Sequence, residues 1–272
     1  MLLGTLGGDG TSMKLMHGDC LELMNKIPDG SIDLVLADLP YGVINKSNPN
    51  AKNDCRIDLD RLWEHYKRVT KPSAAVILFS SGMFTADLML SQPKMWRYNL
   101  VWDKEAKTGY LNANRMPLRQ HEDICVFYRK LPTYNPQMQE TGRKLHSRGN
   151  CFKFQKNNCY GKYEPQQTGD STMRYPTSII RIPKEHRNGQ FYHPSQKPIE
   201  LLEYLIKTYS NEGEIVLDNC MGSGSTGLAA MRCERDFVGI EINKEYFNVA
   251  VNRIYEWHEE KIEREDGTWE ST

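Results

Sequence analysis

Long apolar runs are missing from this chain. No stretch of its 272 residues approaches the ~18 consecutive apolar positions of a membrane-spanning helix, which excludes a helical membrane span. A secretory pattern, a basic start followed by an apolar core, is also missing. Cysteine is sparse and unpatterned: seven residues make an odd count, and Cys151 and Cys159, the most tempting pair, lie eight apart with no histidine pattern beside them. Free thiols in a reducing compartment fit that usage better than a zinc site or a disulfide framework. Net charge is absent as well, with 35 basic residues against 35 acidic ones.

That zero hides an asymmetry. Between Arg129 and Lys197 there are thirteen Lys and Arg against four Asp and Glu; from Pro198 to Thr272 the numbers are seven and sixteen. The basic segment is the footprint expected for a polyanion, and the acidic end reads as solvated helix surface. With 39% hydrophobic residues the chain can bury one substantial α/β core with room for a smaller lobe.

Strand candidates are Lys14–His17, Asp33–Asp38, Ala74–Phe79, Asn99–Trp102, Ile124–Tyr128, Ile215–Asp218 and Phe237–Glu241. Several are continuous apolar runs, as strands covered on both faces should be. Leu59, Leu62, Trp63, Tyr66 and Val69 repeat at helical spacing, Pro198 suits a helix start before Leu201, Leu202, Leu205, Ile206 and Tyr209, and Asn243 can cap a last helix. Seven strands with interleaved helices predict an α/β fold with a doubly wound, mostly parallel sheet. The glycine-rich residues 1–12 precede Met13-Lys14-Leu15-Met16, which reads as a natural start, so they are expected to be an added leader or a disordered arm. Residues 131–192 break the rhythm with Asn, Gln, Lys, Arg and single aromatics; an insertion of that length implies function. The segment Lys104–His121 reads as a loop able to lie over the active site.

Two blocks carry chemistry. Asp38-Leu39-Pro40-Tyr41-Gly42 follows the apolar run ending at Ala37, which delivers an acid, a proline and an aromatic ring to the carboxyl end of a buried strand. The Asp38 carboxylate and the Leu39 carbonyl can accept both N–H groups of one exocyclic amine, and Tyr41 can stack on the base that carries it. A strand followed by a tight turn satisfies the same pattern without chemistry. The second block shifts the balance: Glu214–Asp218, then Asn219-Cys220-Met221, then Gly222-Ser223-Gly224-Ser225-Thr226-Gly227, a helical stretch, and Asp236–Glu241. Strand, glycine turn, helix and strand, closed by Glu241 seventeen residues after Gly224, suit an adenosine-containing cofactor whose ribose hydroxyls the carboxylate accepts. About 30 residues follow Glu241, room for one helix and a tail. The remaining strands must come from earlier in the chain, so the cofactor half comes last and the fold reads as permuted.

Asp38-Leu39-Pro40-Tyr41 resembles the DPPY motif of amino-directed DNA methyltransferases. His193-Pro194-Ser195-Gln196-Lys197-Pro198 and the block from Asp218 resemble the HPTQKP and DPFxGSG motifs of the same family, and Gly18-Asp19-Cys20 resembles its opening. The order, catalytic motif first and cofactor motif last, is that of the β group, and the resemblance spans nearly all of residues 13–258. It implies a permuted seven-stranded methyltransferase sheet with a catalytic half at 13–130, a target-recognition region at 131–192, a cofactor half at 193–260 and an acidic tail at 261–272.

It further implies methyl transfer from S-adenosylmethionine to adenine N6 in double-stranded DNA by base flipping, with cytosine N4 as the alternative acceptor. Asp38, Leu39, Pro40 and Tyr41 are then catalytic. Asp19, Cys20, His193, Ser195, Lys197, Asp218, Cys220, Gly222, Gly224 and Glu241 are assigned to the cofactor: Asp19 and Glu241 to its adenosine, Asp218, Ser195 and Lys197 to its methionine portion. No metal is needed, and no membrane is a partner. A homodimer is expected, in the cytoplasm of a bacterial or phage-infected cell, associated with the nucleoid. Leu39 in place of the first proline keeps the backbone carbonyl, and Asn219-Cys220 in place of Pro-Phe removes an aromatic wall. RNA and protein-glutamine methyltransferases carry NPPY after their glycine motif, which disfavours them; a catalytically dead DNA-binding protein is disfavoured by intact Asp38, Tyr41 and the glycine turn.

Overall fold

Ala75, Val76, Ile77, Leu78 and Phe79 point alternately to opposite faces of their strand, and none is more than 1% exposed. Both faces are therefore covered, which demands a helical layer on each side. The computed structural model describes residues 2–6, 11–42, 55–142, 172–184 and 196–265, and side chains within 11–42, 55–142, 172–184 and 196–259.

Its strands are β1 (Leu2–Leu6), β2 (Met13–His17), β3 (Ile32–Ala37), β4 (Thr70–Ser80), β5 (Trp96–Thr108), β6 (Arg119–Tyr128), β7 (Gln139–Glu140), β8 (Met173–Arg174), β9 (Ile179–Arg181), β10 (Ile215–Asp218) and β11 (Asp236–Glu241). Its α-helices are α1 (Cys20–Leu23), α2 (Leu59–Val69), α3 (Met83–Ser91), α4 (Ile199–Tyr209), α5 (Ser225–Arg232) and α6 (Lys244–Glu265). Nine strands form one sheet in the order β1-β2-β11-β10-β3-β4-β6-β5-β9. From β2 to β4 the neighbours are parallel, while β6 is antiparallel to both β4 and β5. All seven expected strands are present, and the doubly wound sheet is as anticipated, extended by β1 and β9 at its edges.

One face packs Leu34, Leu36, Ile77 and Phe79 against Leu201 and Leu205 of α4, Leu228 of α5 and Phe247 of α6. The other packs Val35, Val76 and Leu78 against Leu62, Trp63 and Tyr66 of α2 and Phe84 and Leu88 of α3. Local signals fix the helix starts. Asp58 accepts from the amides of Asp60 and Arg61 at the start of α2, and Asn243 accepts from Glu245 and Tyr246 at the start of α6. Pro198 occupies the cap of α4, as its lack of an N–H favours.

The chain leaves β3 towards β4 and leaves β10 towards β11 and β2, moving outward in opposite directions from the adjacent pair β10–β3. That reversal opens a crevice at the carboxyl ends of these two strands.

Three expectations about boundaries differ from the structure. Leu2–Leu6 is not a disordered arm: it forms β1, antiparallel to β2, because the unpaired edge of β2 offers it a ladder. The last helix runs on to Glu265, inside the expected acidic tail. The basic insertion is subdivided: Pro136–Thr177 forms a compact unit of its own, with β7 and β8 paired, whereas Ser178 rejoins the larger unit and β9 lies parallel to β5. Arg143, Lys144, Asn157, Asn158, Gln166 and Gln167 lie outside the described residues.

Candidate active site

Four loops leave the carboxyl edge side by side, after β2, β3, β10 and β11, and together they wall a cavity of about 790 Å³. Asp19 and Cys20 come from the first, Asp38 to Tyr41 from the second, Asp218 to Gly222 from the third and Glu241 to Asn243 from the fourth. Only β11 separates β2 from β10, so the loops that follow those two strands bring Cys20 and Asn219, 199 positions apart in the chain, into contact.

Asp38 directly follows β3 and is held from two sides. Lys197 donates to its Oδ2 at 2.6 Å, and the Tyr41 hydroxyl donates to its Oδ1 at 3.0 Å. Each carboxylate oxygen keeps a second lone pair, so the group can still accept an amine N–H. The Tyr41 ring stacks on Phe84 at 4.9 Å and lines the cavity. Burial, reinforced by the Asp38 charge, raises the Tyr41 pKa well above the phenol range, so the ring stays neutral.

Lys197 does more than touch Asp38. Its Nζ lies 3.3 Å from Glu122 Oε2 and 4.9 Å from the centroid of Phe79, and Lys104 donates to Glu122 Oε1 at 3.0 Å. The 3.3 Å contact is an ion pair off hydrogen-bond geometry, since Glu122 Oε2 has no hydrogen-bond partner. The result is an alternating row, Lys104, Glu122, Lys197, Asp38. Burial alone would favour the neutral amine of Lys197, but the facing carboxylates outweigh it and raise its pKa. Burial would likewise favour neutral Glu122, and the two lysines outweigh it and lower its pKa.

The same cavity is lined by three further acids. Asp19 caps α1 through the Leu21 amide at 2.8 Å. Glu241 accepts from the amides of Gly222 and Asn243 at 2.9 and 2.7 Å, which pull its pKa down, yet burial raises it overall. Asp218 accepts from the Thr226 hydroxyl at 2.6 Å and the Cys220 amide at 2.9 Å, and burial still pushes its carboxyl up to about 7. The Asn219 amide contacts both the Cys20 and Cys220 sulfurs, and its carbonyl accepts from Tyr66 at 2.5 Å.

One expected cofactor residue, Gly224, is placed away from the cavity, whereas Lys197 lines it and also grips Asp38, its ammonium lying between two carboxylates. Gly224 faces α6 and is not among the cavity-lining residues: a Cβ there would meet Ala250 Cβ at 2.8 Å, and its φ is +81°. The close approach served by Gly224 is helix to helix, so a bulky replacement tests packing before it tests binding. Gly222, with φ +53°, does line the cavity. His193 and Ser195 lie outside the described residues. Where a phenylalanine was missed after the cofactor aspartate, Tyr246 of α6 supplies an aromatic ring to the lining. Glu122 and Lys104 escaped sequence reasoning. The expected loop at Lys104–His121 is instead the end of the β5–β6 ribbon: Lys104 lies in β5 and Glu122 in β6, and the pairing of those strands brings the two charges together.

The family profile described as DNA methylase, of the N6/N4 methyltransferases, matches residues 32–252. The chain belongs to that family. It is similar to the DNA adenine methyltransferase YhdJ of Escherichia coli strain K12, 30% identical over 249 residues that cover 88% of this chain and 82% of that protein. It is also similar to the type II methyltransferase M.BglII of Bacillus subtilis, 28% identical over 264 residues covering 87% of this chain and 67% of that protein. Among solved structures, the cytosine-N4-specific PvuII DNA methyltransferase shares the fold with a TM-score of 0.65 at 16% identity, covering 89% of this chain and 86% of that one. The M1.HpyAVI–SAM complex shares it with a TM-score of 0.57 at 22% identity, covering 89% and 99%. The N6/N4 DNA methylases are S-adenosylmethionine-dependent enzymes acting on DNA, and this chain is one of them.

Proposed function

We propose that the enzyme methylates N6 of adenine in double-stranded DNA, with Asp38 as the residue facing the reacting nitrogen. The observation that carries this reading is the Asp38 carboxylate, fixed by Lys197 and Tyr41 in a cavity that Asp19, Asp218 and Glu241 also line. The Escherichia coli relative is a DNA adenine methyltransferase, which supports the choice of base. Residues 131–192 are proposed to carry sequence recognition.

Three acids and a glycine turn suit a cationic ligand bearing ribose hydroxyls, which is the chemistry of S-adenosylmethionine. When bound, that cofactor supplies an electrophilic methyl group on a sulfonium. Asp38 and the Leu39 carbonyl accept the two N–H groups of the target amine, which favours a pyramidal nitrogen and frees its lone pair. As positive charge develops on that nitrogen, the nearby carboxylate stabilises it more than it stabilised the neutral amine. Lys197 is protonated and cannot take the departing proton, so Asp38 is the acceptor on this side of the site. Tyr41, which lines the cavity, stacks on the extruded base and offsets unstacking that costs a few kcal/mol.

Mass spectrometry of nucleosides from treated DNA tests the product. N6-methyladenine is the expected result; N4-methylcytosine without it would transfer the same geometry to the other amine. A second expectation concerns pH. The raised Asp218 pKa favours the folded state fully below its unfolded value near 3.8, and that advantage is lost as pH rises through about 7. A cationic ligand reverses the preference by favouring the ionised carboxylate. Calorimetry should therefore find S-adenosylmethionine binding up to ~10-fold tighter at pH 8 than at pH 6. A flat profile would remove Asp218 from the cation's surroundings.

A further inference from the structure

The last residue of β4, Ser80, pairs with Asp123 of β6. Residues of β6 before Asp123 have no β4 neighbour, yet the β5–β6 ribbon continues to the pair Thr108–Arg119. Four residues of paired strand thus stand beyond the carboxyl edge of β4, roughly 14 Å at ~3.4 Å per residue. This is the edge that carries Asp38.

At the end of that ribbon every residue from 107 to 117 is exposed. Tyr110 is 67% exposed, Leu111 101% and Met116 57%. The tip closes on itself: the amides of Asn112 and Ala113 donate to the carbonyls of Gly109 and Tyr110, and the Met116 amide donates to Asn112. Its shape therefore owes nothing to Leu111, whose side chain touches nothing that would hold it. Residues 106–121 include Lys107, Arg115 and Arg119 and no acid. Large apolar groups held out in water, ringed by cations, at the mouth of an active site call for a polyanion with an apolar interior.

Building on the proposed function, we infer that the β5–β6 hairpin is a wedge for the DNA duplex. Lys107, Arg115 and Arg119 contact phosphates, and Leu111, with Tyr110 beside it, enters the base stack and fills the space left by the flipped target base. A duplex whose base reaches Asp38 must lie across this edge, where the hairpin rises. A second copy of the chain is the less favoured occupant, because a two-fold contact through the tips would bring the same cations together.

The test uses Leu111→Ser and the pair Arg115→Ala/Arg119→Ala in the full chain. Leu111→Ser should leave melting temperature and S-adenosylmethionine affinity unchanged, since nothing packs on that side chain. Transfer of radiolabelled methyl to unmethylated mixed-sequence phage DNA should fall ~10-fold or more, because extrusion of the base loses its support. The arginine pair should reduce the log–log salt slope for binding a short mixed-sequence duplex by nearly 2, about 0.9 for each lost phosphate contact. Wild-type methylation by Leu111→Ser would overturn the wedge. So would a change in its mass by light scattering, which would make the hairpin an interface between copies. A wild-type enzyme that transfers methyl to no DNA would instead remove the proposed function itself, a result independent of either variant.

Discussion

Asp38→Ala is expected to lower methyl transfer by about 10²–10³ while leaving S-adenosylmethionine bound at near wild-type affinity. The split follows from the topology. Asp38 leaves the end of β3, whereas Asp218, Gly222 and Glu241 belong to β10, β11 and the turn between them. Removing the carboxylate takes away the charge that faces the nitrogen as it becomes positive, and the cofactor wall stays intact. Single-turnover kinetics beside calorimetry separates the two effects. Near-normal turnover in a folded Asp38→Ala enzyme would sink the mechanism, and equal loss of cofactor affinity would mean that Asp38 belongs to that wall instead.

Lys197→Met should damage both stability and catalysis. The lysine side chain is 10% exposed and its ammonium serves two carboxylates at once, Asp38 at 2.6 Å and Glu122 at 3.3 Å. Without it, among the described residues Glu122 keeps the Lys104 ammonium and Asp38 keeps the Tyr41 hydroxyl. Breaking a buried pair from one side costs on the order of 3 kcal/mol, because the remaining charge has lost its compensation. The pH dependence gives the sign. In the wild type the depressed Glu122 pKa contributes stability that is present above its unfolded value of about 4.5 and lost as pH falls through the folded one. In the variant Glu122 loses its largest depressing partner, so protonation relieves it. The gap in melting temperature between variant and wild type should therefore narrow from pH 8 to pH 5.5. A gap that stays constant would make the loss one of packing against Phe79 rather than of charge. Glu122→Gln, which spares the volume, should weaken the hold on Lys197 and lower turnover less than Lys197→Met does.

Chain order and strand ends were legible without coordinates. Asp38 after an apolar run, and Glu241 closing a second run beyond a glycine turn, fixed which acids meet at one sheet edge, because parallel strands deliver their carboxyl ends together. Continuous apolar runs marked several of the seven inner strands for the same reason: a strand covered on both faces, such as β3 or β4 over Ala75–Phe79, has no polar alternation to obscure it. Ends and edges were less legible. Leu2–Leu6 and Ile179–Arg181 join the sheet through backbone hydrogen bonds along its open sides, which any sequence of moderate β-propensity can make.

Side-chain partnership was the least legible. By itself the sequence determined the layered α/β fold, its permuted order, and the acids and turn that ring the cavity, since these follow from periodicity along one strand or helix at a time. Only the tertiary structure decided that Lys197 pairs with Asp38, 159 residues away, that Glu122 and Lys104 complete their row, and that Gly224 serves the packing of α6 rather than the cavity. The Glu122–Lys104 contact runs across β5 and β6, where neighbours are set by sheet order and register, whereas Lys197 and Gly224 meet their partners from the starts of α4 and α5. A charge in a strand states that it needs a partner; the register states which one.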